Sequence, residues 1–211
     1  MRILLHAAAL CLFAARALAF DPPPPGSYAL PPIQPAPRGE VIDEGGKPHA
    51  LERLLRGRIV LLGLVYTHCA DPEGCPRATW AFGEVRKLLR AEPALERRVR
   101  LLSLSFDPTR DDARTLAEYA SHVRGRARGA EWRFLTTRSD AQLAPILEAL
   151  GQDVSRAPGS IEAFEHTVKV FLVDEAGRVR EIYSSAYLAP AMIVNDIRTL
   201  DREARGTVPH S

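Results

Sequence analysis

The residues from Ile59 to Pro76, IVLLGLVYTHCADPEGCP, join an apolar run to a pair of cysteines. The first nine form a continuous apolar stretch with β-branched members, which predicts a buried central strand. After Pro76 apolar residues recur at three- and four-residue spacing, which predicts an amphipathic helix; they are Trp80, Phe82, Val85, Leu88 and Leu89. Cys69 and Cys75 are therefore expected on the turn between a central strand and the helix that follows it.

The rest of the chain alternates between strand-like and helix-like segments. The patterns predict strands at 97–107, 132–137, 167–173 and 178–185, and helices at 109–123, 139–151 and 189–205. Residues 39–58 are expected to hold two short extended pieces and a helical turn, and residues 151–166 a loop. This order predicts an α/β fold of the thioredoxin-like type. Helices flank its central mixed sheet. The strands of this sheet run parallel in its first half, and a hairpin closes it.

The N-terminal residues have the composition of an export signal. A basic second residue precedes an apolar stretch, and Ala17-Leu18-Ala19 supplies an A-x-A cleavage site, so residues 1–19 are predicted to be a signal peptide. Cys11 leaves with this peptide, and the mature chain then keeps two cysteines. Export, which we expect to be to the periplasm, places these cysteines where thiols can oxidise. An uncleaved anchor is the alternative, and membrane association is expected only in that case.

The composition is that of one globular domain with attachments. The 211 residues are 46% hydrophobic and 26% charged, which is enough apolar material for a core. After the signal we expect a proline-rich extended segment over 20–38, one domain over 39–205 and a tail over 206–211. The formal net charge of +2, without a stripe of basic and aromatic residues, argues against a nucleic acid partner.

The turn after a central strand favours ionised cysteine. Backbone amides and the helix dipole stabilise thiolate there, and thiolate is both the nucleophile of disulfide exchange and a ligand for soft metals. Cys69 and Cys75 can therefore form a passive disulfide, a redox pair or part of a metal site. His166 opens the predicted strand 167–173 and is expected to lie beside this turn. Two thiolates and an imidazole suit Cu(I) and can also hold Cu(II), whereas structural zinc usually needs a fourth ligand.

Four segments carry a resemblance to a known family: SYALPPI (27–33), YTHCADPEGCP (66–76), LSFDPTRDDARTLAEYA (104–120) and EHTVKVFLVDEAGRV (165–179). From Ser27 to about Leu200 the chain resembles the SCO/SenC family, exported thioredoxin-like copper proteins of cytochrome c oxidase assembly. The resemblance implies copper ligands at Cys69, Cys75 and His166. It also implies delivery of copper to the dinuclear centre of the oxidase, or reduction of the cysteines of that centre. The implied partner is an oxidase subunit or another exported cuproprotein.

The spacing of the cysteines departs from the family pattern. Members usually separate them by three residues, whereas five residues, from Ala70 to Gly74, intervene here. We expect Gly74 to let the longer loop fold back, so that both sulfurs can meet one ion. The spacing keeps a second function open, a thiol-disulfide oxidoreductase in which Cys69 attacks and Cys75 resolves. The sequence favours a metallochaperone over an enzyme that turns over a small substrate.

Two further polar residues adjoin the predicted turn. His68 precedes Cys69, and its side chain is expected to point the opposite way at the end of a strand. Asp107 ends the second predicted strand, where it either adds charge to the site or shapes the turn before Pro108.

Overall fold

This computed structural model describes residues 22–69, 71–72, 74–125, 128–156 and 164–206, with the backbone alone at positions 156, 165 and 166. The predictions for the signal peptide over 1–19, for Cys11 and for residues 207–211 of the tail lie outside these ranges. No helix in the described ranges is long and apolar enough to cross a membrane.

Ten strands lie within the described residues: β1 Gln34–Pro35, β2 Glu40–Asp43, β3 Pro48–Ala50, β4 Ile59–Val65, β5 Val99–Ser105, β6 Glu131–Thr136, β7 Val154–Arg156, β8 Phe164–His166, β9 Lys169–Val173 and β10 Arg178–Ser184. Eight of them form one mixed sheet in the order β1-β10-β9-β4-β5-β6-β2-β3. β4, β5 and β6 run parallel, β9 is antiparallel to β4, and β10 is antiparallel to β9. The prediction of a sheet that is parallel in its first half and closed by a hairpin is confirmed.

Six α-helices lie within the same ranges: α1 Leu51–Leu54, α2 Cys75–Leu89, α3 Pro93–Glu96, α4 Ala113–Arg124, α5 Asp140–Ala149 and α6 Pro190–Ala204. Two of the predicted helices begin at side-chain caps. Asp112 accepts a hydrogen bond from the N–H of Thr115 at α4, and Ser139 accepts one from the N–H of Gln142 at α5. Such caps satisfy amide groups that have no partner inside the helix.

The central strand β4 separates two apolar cores, and all of its residues are buried. Ile59 and Leu61 face the core that contains residues of α2, α4 and α6. Val60, Leu62 and Leu64 face the core that contains residues of α1 and α5, because side chains alternate along a strand. Burial on both faces explains why this strand is a continuous apolar run. The end of β4 is thereby held firmly where the cysteines follow.

The buried face of α2 differs from the predicted one. The apolar spacing groups Trp80 and Leu88 with the core residues, but these side chains are 56% and 40% exposed. The helix instead buries a stripe of small and apolar residues, Ala78, Ala81, Phe82, Val85 and Leu89. The Phe82 ring lies against Gly63 of β4, where a Cβ atom would come within 3.0 Å of it. Trp80 then faces solvent, since residues two positions apart in a helix differ by about 200°.

The segment 151–166, predicted as a loop, contains a second, two-stranded sheet. β7 and β8 pair antiparallel, with Val154 opposite His166 and Arg156 opposite Phe164. His166 therefore ends β8 and does not open β9, as the sequence suggested. The prediction is wrong here because each of these strands has only three residues, too few for a periodic pattern.

The described part of the proline-rich segment runs along β10 and α6. The N–H of Ile33 donates to the carbonyl oxygen of Val179 at 2.8 Å, and β1 continues this pairing with β10. Farther towards the N-terminus, the Tyr28 hydroxyl donates to the carboxylate of Asp196 on α6. These bonds attach the segment to the edge of the sheet and to the last helix.

Candidate functional site

Cys69 and Cys75 lie on the turn between β4 and α2. We name residues 66–75 the cysteine loop; Ala70 and position 73 lie outside the described residues. Cys69 is partly exposed, whereas Cys75 is fully buried and is the first residue of α2. A proline follows in the first helical turn, where its missing N–H costs no intrahelical hydrogen bond. The loop therefore presents one sulfur to solvent and encloses the other.

The two cysteines are not joined by a disulfide, and their sulfur atoms form a hydrogen bond with each other. The bond donated by the Cys75 thiol lowers the pKa of Cys69 to about 6, although burial opposes the shift, and the backbone of Cys75 contributes further. The same bond, together with burial, raises the pKa of Cys75. At neutral pH Cys69 is therefore a thiolate, and Cys75 is a protonated thiol.

A buried tyrosine contacts the thiolate. The Tyr66 hydroxyl donates a hydrogen bond to the sulfur of Cys69 and accepts one from the backbone of Phe164 in β8. The centroid of the Tyr66 ring lies 5.0 Å from that of Phe106 and 5.2 Å from that of Phe164. Burial and the charge on Cys69 raise the pKa of Tyr66 to about 12, so the hydroxyl keeps its proton at neutral pH.

A buried carboxylate supports the start of the cysteine loop. Asp111 is fully buried. Its carboxylate oxygens accept two hydrogen bonds from Thr67, one from the backbone N–H at 3.0 Å and one from the side-chain hydroxyl at 2.6 Å. The Ser105 hydroxyl donates to the same carboxylate at 2.5 Å. Because the Thr67 hydroxyl donates to Asp111, its oxygen is left to accept from Nδ1 of His68, which lies 2.9 Å away. The His68 side chain is 55% exposed and is held on the side of Thr67 and Asp111.

Asp111 was not predicted from the sequence, although its position carries a signal. Asp111 follows β5, and the carboxyl ends of the parallel neighbours β4 and β5 meet at one edge of the sheet, where ligands bind in such folds. Asp107, expected beside the site, is buried at the same edge. Its carbonyl oxygen accepts from the N–H groups of Arg110 and Asp111, at 3.1 and 2.9 Å. Asp107 thus shapes the turn that carries Asp111.

Gly74 makes the five-residue spacing compatible with contact between the two sulfurs. Its N–H donates to the carbonyl oxygen of Asp71 at 3.0 Å, which closes a turn. A Cβ atom at position 74 would lie 3.2 Å from the sulfur of Cys69, and as close to two oxygens of Asp71. The φ angle of Gly74 is −88°, so the glycine serves this close approach and not a left-handed turn. The loop folds back as predicted because position 74 has no side chain.

The backbone of His166, and not its side chain, is described relative to the cysteines. His166 ends β8, and Phe164 at the start of this strand contacts Tyr66 of the cysteine loop. Among the described side chains, no group of three or more His, Cys, Asp and Glu is arranged to hold a metal ion. The imidazole lies outside that part of the chain. The set of Cys69, Cys75 and His166 therefore stays a prediction.

A family model described as SCO1/SenC matches residues 39–201. The chain belongs to the SCO1/SenC family. The matched range includes the cysteine loop, Asp111 and β8, so it covers every part of the site described above. The resemblance seen in the four sequence segments is confirmed by this match.

Two curated SCO1/SenC relatives match most of the chain. The SCO1 protein homolog of Bacillus subtilis is 25% identical over 158 residues, which cover 74% of this chain and 78% of that protein. The mitochondrial SCO2 homolog of Mus musculus is 27% identical over 161 residues, which cover 75% of this chain and 59% of that protein.

Solved SCO structures share the fold. A SCO1/SenC family lipoprotein from Bacillus anthracis has a TM-score of 0.69 at 20% identity and covers 81% of this chain and 97% of that one. Copper-bound ScoI from Arabidopsis thaliana has a TM-score of 0.67 at 17% identity, over 80% and 98%. BsSco, a Sco family protein of cytochrome c oxidase assembly with a disulfide switch, has a TM-score of 0.63 at 23% identity, over 80% and 95%. The predicted thioredoxin-like fold is confirmed.

Proposed function

We propose that this protein is an exported copper-binding metallochaperone of cytochrome c oxidase assembly, which binds copper through Cys69, Cys75 and His166. The observation that carries the proposal is the thiolate of Cys69 in direct contact with a buried thiol, Cys75. Thiolate sulfur is the ligand that Cu(I) prefers, and an added imidazole also allows Cu(II). The copper bound to Arabidopsis ScoI and the oxidase assembly role of BsSco support this choice of metal and process.

The two sulfurs have different parts in uptake and release. Cys69 is partly exposed and already ionised, so it meets an incoming Cu(I) ion first. Cys75 binds only after it loses its proton, because thiolate and not thiol is the ligand, and the positive ion promotes that loss. Reprotonation of Cys75 favours release when the thiolates of a client protein compete for the ion. The unequal pair thus suits transfer better than permanent storage.

The position of β8 supports His166 as the third ligand. Phe164 contacts Tyr66 through both its ring and its backbone, which brings β8 against the cysteine loop. Positions two apart in a strand belong to the same face, so position 166 shares the face of β8 that carries Phe164. A third ligand from this strand would complete the set of two thiolates and one imidazole that suits copper.

A copper titration of the reduced protein tests the proposal. Under anaerobic conditions, with a chromophoric Cu(I) chelator as competitor, we expect one ion per chain. His166→Ala is expected to weaken this binding by more than about tenfold, since one of three ligands is lost. His122→Ala is the matched control, because His122 is exposed in the last turn of α4. Equal affinity of His166→Ala and the wild type would remove His166 from the site.

The same thiol pair favours one alternative, a thiol-disulfide oxidoreductase that acts on the cysteines of an exported cuproprotein. The thiolate of Cys69 would attack a client disulfide and release one client thiolate, and Cys75 would then attack the mixed disulfide and release the other. The protein ends as a Cys69–Cys75 disulfide, and a dithiol reductant must restore it. Reduction of a client disulfide at full rate by His166→Ala, together with unchanged copper binding in that variant, would favour this alternative.

The proposed client is a cytochrome c oxidase subunit or another exported cuproprotein, met in the periplasm. The predicted signal peptide and the description of the Bacillus anthracis relative as a lipoprotein support this proposal. A fractionation experiment with the full chain, followed by N-terminal sequencing, tests both export and cleavage after Ala19. Recovery of the uncut chain in the membrane fraction would show that residues 1–19 act as an anchor and not as a cleaved signal peptide.

A further inference from the structure

We infer that the hydroxyl of Tyr66 is a positioning group that links the two parts of the proposed site, the cysteine loop and the strand β8 that ends in His166. The inference deepens the proposed function and rests on it for the role of His166. The contact between Tyr66 and Cys69 belongs to the described structure and can be tested without copper.

The Tyr66 ring is held by packing that does not need the hydroxyl. Tyr66 is 5% exposed and Phe106 is 2% exposed. The rings of Tyr66, Phe106 and Phe164 form a mutual cluster in which the third pair of centroids, Phe106 to Phe164, lies 5.3 Å apart. Tilted and edge-on contacts of this kind stabilise aromatic clusters at such distances. Tyr66→Phe therefore keeps the ring in place and removes the hydroxyl alone.

The hydroxyl makes one bond to each part of the site. It donates to the sulfur of Cys69 and accepts from the backbone of Phe164. A tyrosine hydroxyl has one proton to donate and lone pairs that accept, so both bonds can exist together. The bond to Cys69 is strongest when the sulfur carries a negative charge. The hydroxyl therefore links β8 to the cysteine loop through two hydrogen bonds.

The position of β8 is expected to depend on the hydrogen bond between Tyr66 and Phe164. β7 and β8 form their own two-stranded sheet, separate from the eight-stranded one, and an isolated pair of short strands is only marginally stable. A cavity of about 240 Å³ lies between these strands and α5, lined by Val154, Phe164, Phe106 and four side chains of α5, Leu143 among them. A strand that rests over a cavity gains less from packing than one in a filled core. The Tyr66 hydroxyl therefore helps to fix the position of β8, and with it the position of residue 166.

The first test uses the metal-free protein. The Cys69–Cys75 disulfide takes two electrons and one proton from a reduced dithiol buffer, whose own disulfide forms, and yields the Cys69 thiolate and the Cys75 thiol. Tyr66→Phe removes a hydrogen bond that a thiolate sulfur accepts more strongly than a disulfide sulfur does. The equilibrium is therefore expected to shift towards the disulfide by about tenfold. Tyr28→Phe is the matched control, because the Tyr28 hydroxyl donates to the carboxylate of Asp196 and not to a cysteine.

The second test separates positioning of β8 from an effect on sulfur alone. In Tyr66→Phe the Cu(I) affinity is expected to fall by about tenfold. In a His166→Ala background the same substitution is expected to have a smaller effect, because the link to His166 no longer matters. The ¹⁵N-labelled amide of Phe164 reports the bond directly. Its resonance is expected to move in Tyr66→Phe and to stay in place in Tyr28→Phe.

The outcomes distinguish this inference from the proposed function. If the wild type binds no copper, the proposed function is wrong, and the dithiol equilibrium still tests the bond to Cys69. If the wild type binds copper while Tyr66→Phe changes neither the equilibrium nor the Phe164 amide, the inference about Tyr66 is wrong. If Tyr66→Phe lowers the copper affinity equally in the wild type and in His166→Ala, the Tyr66 hydroxyl acts only on the sulfur of Cys69. The inference that it positions β8 is then wrong. Thermal unfolding of each variant confirms that the comparison is between folded proteins.

Discussion

Tyrosine hydroxyls donate hydrogen bonds in two polar clusters of this protein, and the clusters differ in the group that accepts these bonds. In the cysteine loop the Tyr66 hydroxyl donates to the sulfur of Cys69. Where the N-terminal segment meets α6, the hydroxyls of Tyr28 and Tyr183 both donate to Asp196. We name the second set, with Asn195 beside it, the Asp196 cluster. One cluster binds a reactive sulfur, and the other binds a carboxylate enclosed by the fold.

The two acceptors respond differently to their surroundings. In the Asp196 cluster, burial raises the pKa of Tyr28 to about 12 and that of Tyr183 above its usual value, so both hydroxyls keep donating at neutral pH. The side-chain amide of Asn195 adds bonds to the carbonyl of Pro23 and to the Tyr28 hydroxyl, at 2.8 and 2.9 Å. In contrast, the Cys69 sulfur loses its negative charge on protonation or disulfide formation. A tyrosine hydroxyl therefore stabilises the fold at Asp196, whereas at Cys69 the strength of its hydrogen bond depends on the charge of the sulfur.

The largest expected difference between the clusters is in ionisation. Alkylation of Cys69 by iodoacetamide is expected to rise with pH and to reach half its maximum near pH 6, because the thiolate is the nucleophile. A shift from 9.0 to about 6 makes the acid dissociation constant about a thousandfold larger. In Cys75→Ala the midpoint is expected to move up towards 9.0, since the hydrogen bond from Cys75 is the main cause of the shift. Mass spectrometry of the Cys69 peptide measures the rate; a wild-type midpoint above pH 8 would contradict the structure.

Copper binding is expected to distinguish the clusters next. Cys75→Ser removes one of two sulfur ligands and is expected to weaken Cu(I) binding by more than about a hundredfold. Asp196→Asn alters the other cluster and is expected to leave the affinity within about twofold, since the two clusters share no residue. Competition titrations of the two variants against a chelator measure both values. Similar losses in both variants would mean that the clusters are coupled.

Stability is expected to show the reverse order. Asp196→Asn replaces an acceptor of two tyrosine hydroxyls by an amide whose N–H₂ group cannot accept. We expect the free energy of unfolding to fall by about 2 kcal/mol, because bonds to a charged group at a buried site are lost. Urea unfolding monitored by circular dichroism measures the change. A loss as large in Tyr66→Phe would remove the distinction drawn between the two hydroxyl clusters.

The smallest effect is expected from crowding of the cysteine loop. Gly74→Ala places a methyl group 3.2 Å from the sulfur of Cys69, which must then move, and the Cu(I) affinity is expected to fall by about tenfold. Gly83→Ala is the matched control, because position 83 lies in α2 with open space around the added Cβ atom. That variant is expected to bind copper as the wild type does and to unfold at the same or a higher temperature. Equal affinities of the two variants would show that the loop tolerates a side chain at position 74.

Local patterns in the sequence predicted the main architecture. The strand β4 was predictable because burial on both faces leaves a continuous apolar run. The hairpin of β9 and β10 was predictable from an acidic turn that ends at Gly177, and the start of α5 from the cap at Ser139. These features depend on residues close together in the chain, which is why they can be read without the structure.

The parts that were missed depend on distant contacts. The spacing of apolar residues in α2 could not tell that Trp80 is exposed, because the rotation of the helix follows from Phe82 against Gly63 on another strand. Asp111 and Tyr66 were missed for a similar reason, since each has a partner far along the chain, Thr67 for Asp111 and Phe164 for Tyr66. The pair β7 and β8 was too short for a pattern. The ligand set of Cys69, Cys75 and His166 stays a prediction, which both the residue pattern and the family resemblance favour.

X-ray absorption at the copper edge of the Cu(I)-loaded protein tests most directly whether three distant side chains meet at one ion. The wild type is expected to show two sulfur neighbours and one nitrogen neighbour. His166→Ala is expected to keep both sulfurs and to lose the nitrogen, while His122→Ala keeps all three. A wild-type spectrum without nitrogen, or a nitrogen that persists in His166→Ala, would contradict the assignment of the site to Cys69, Cys75 and His166.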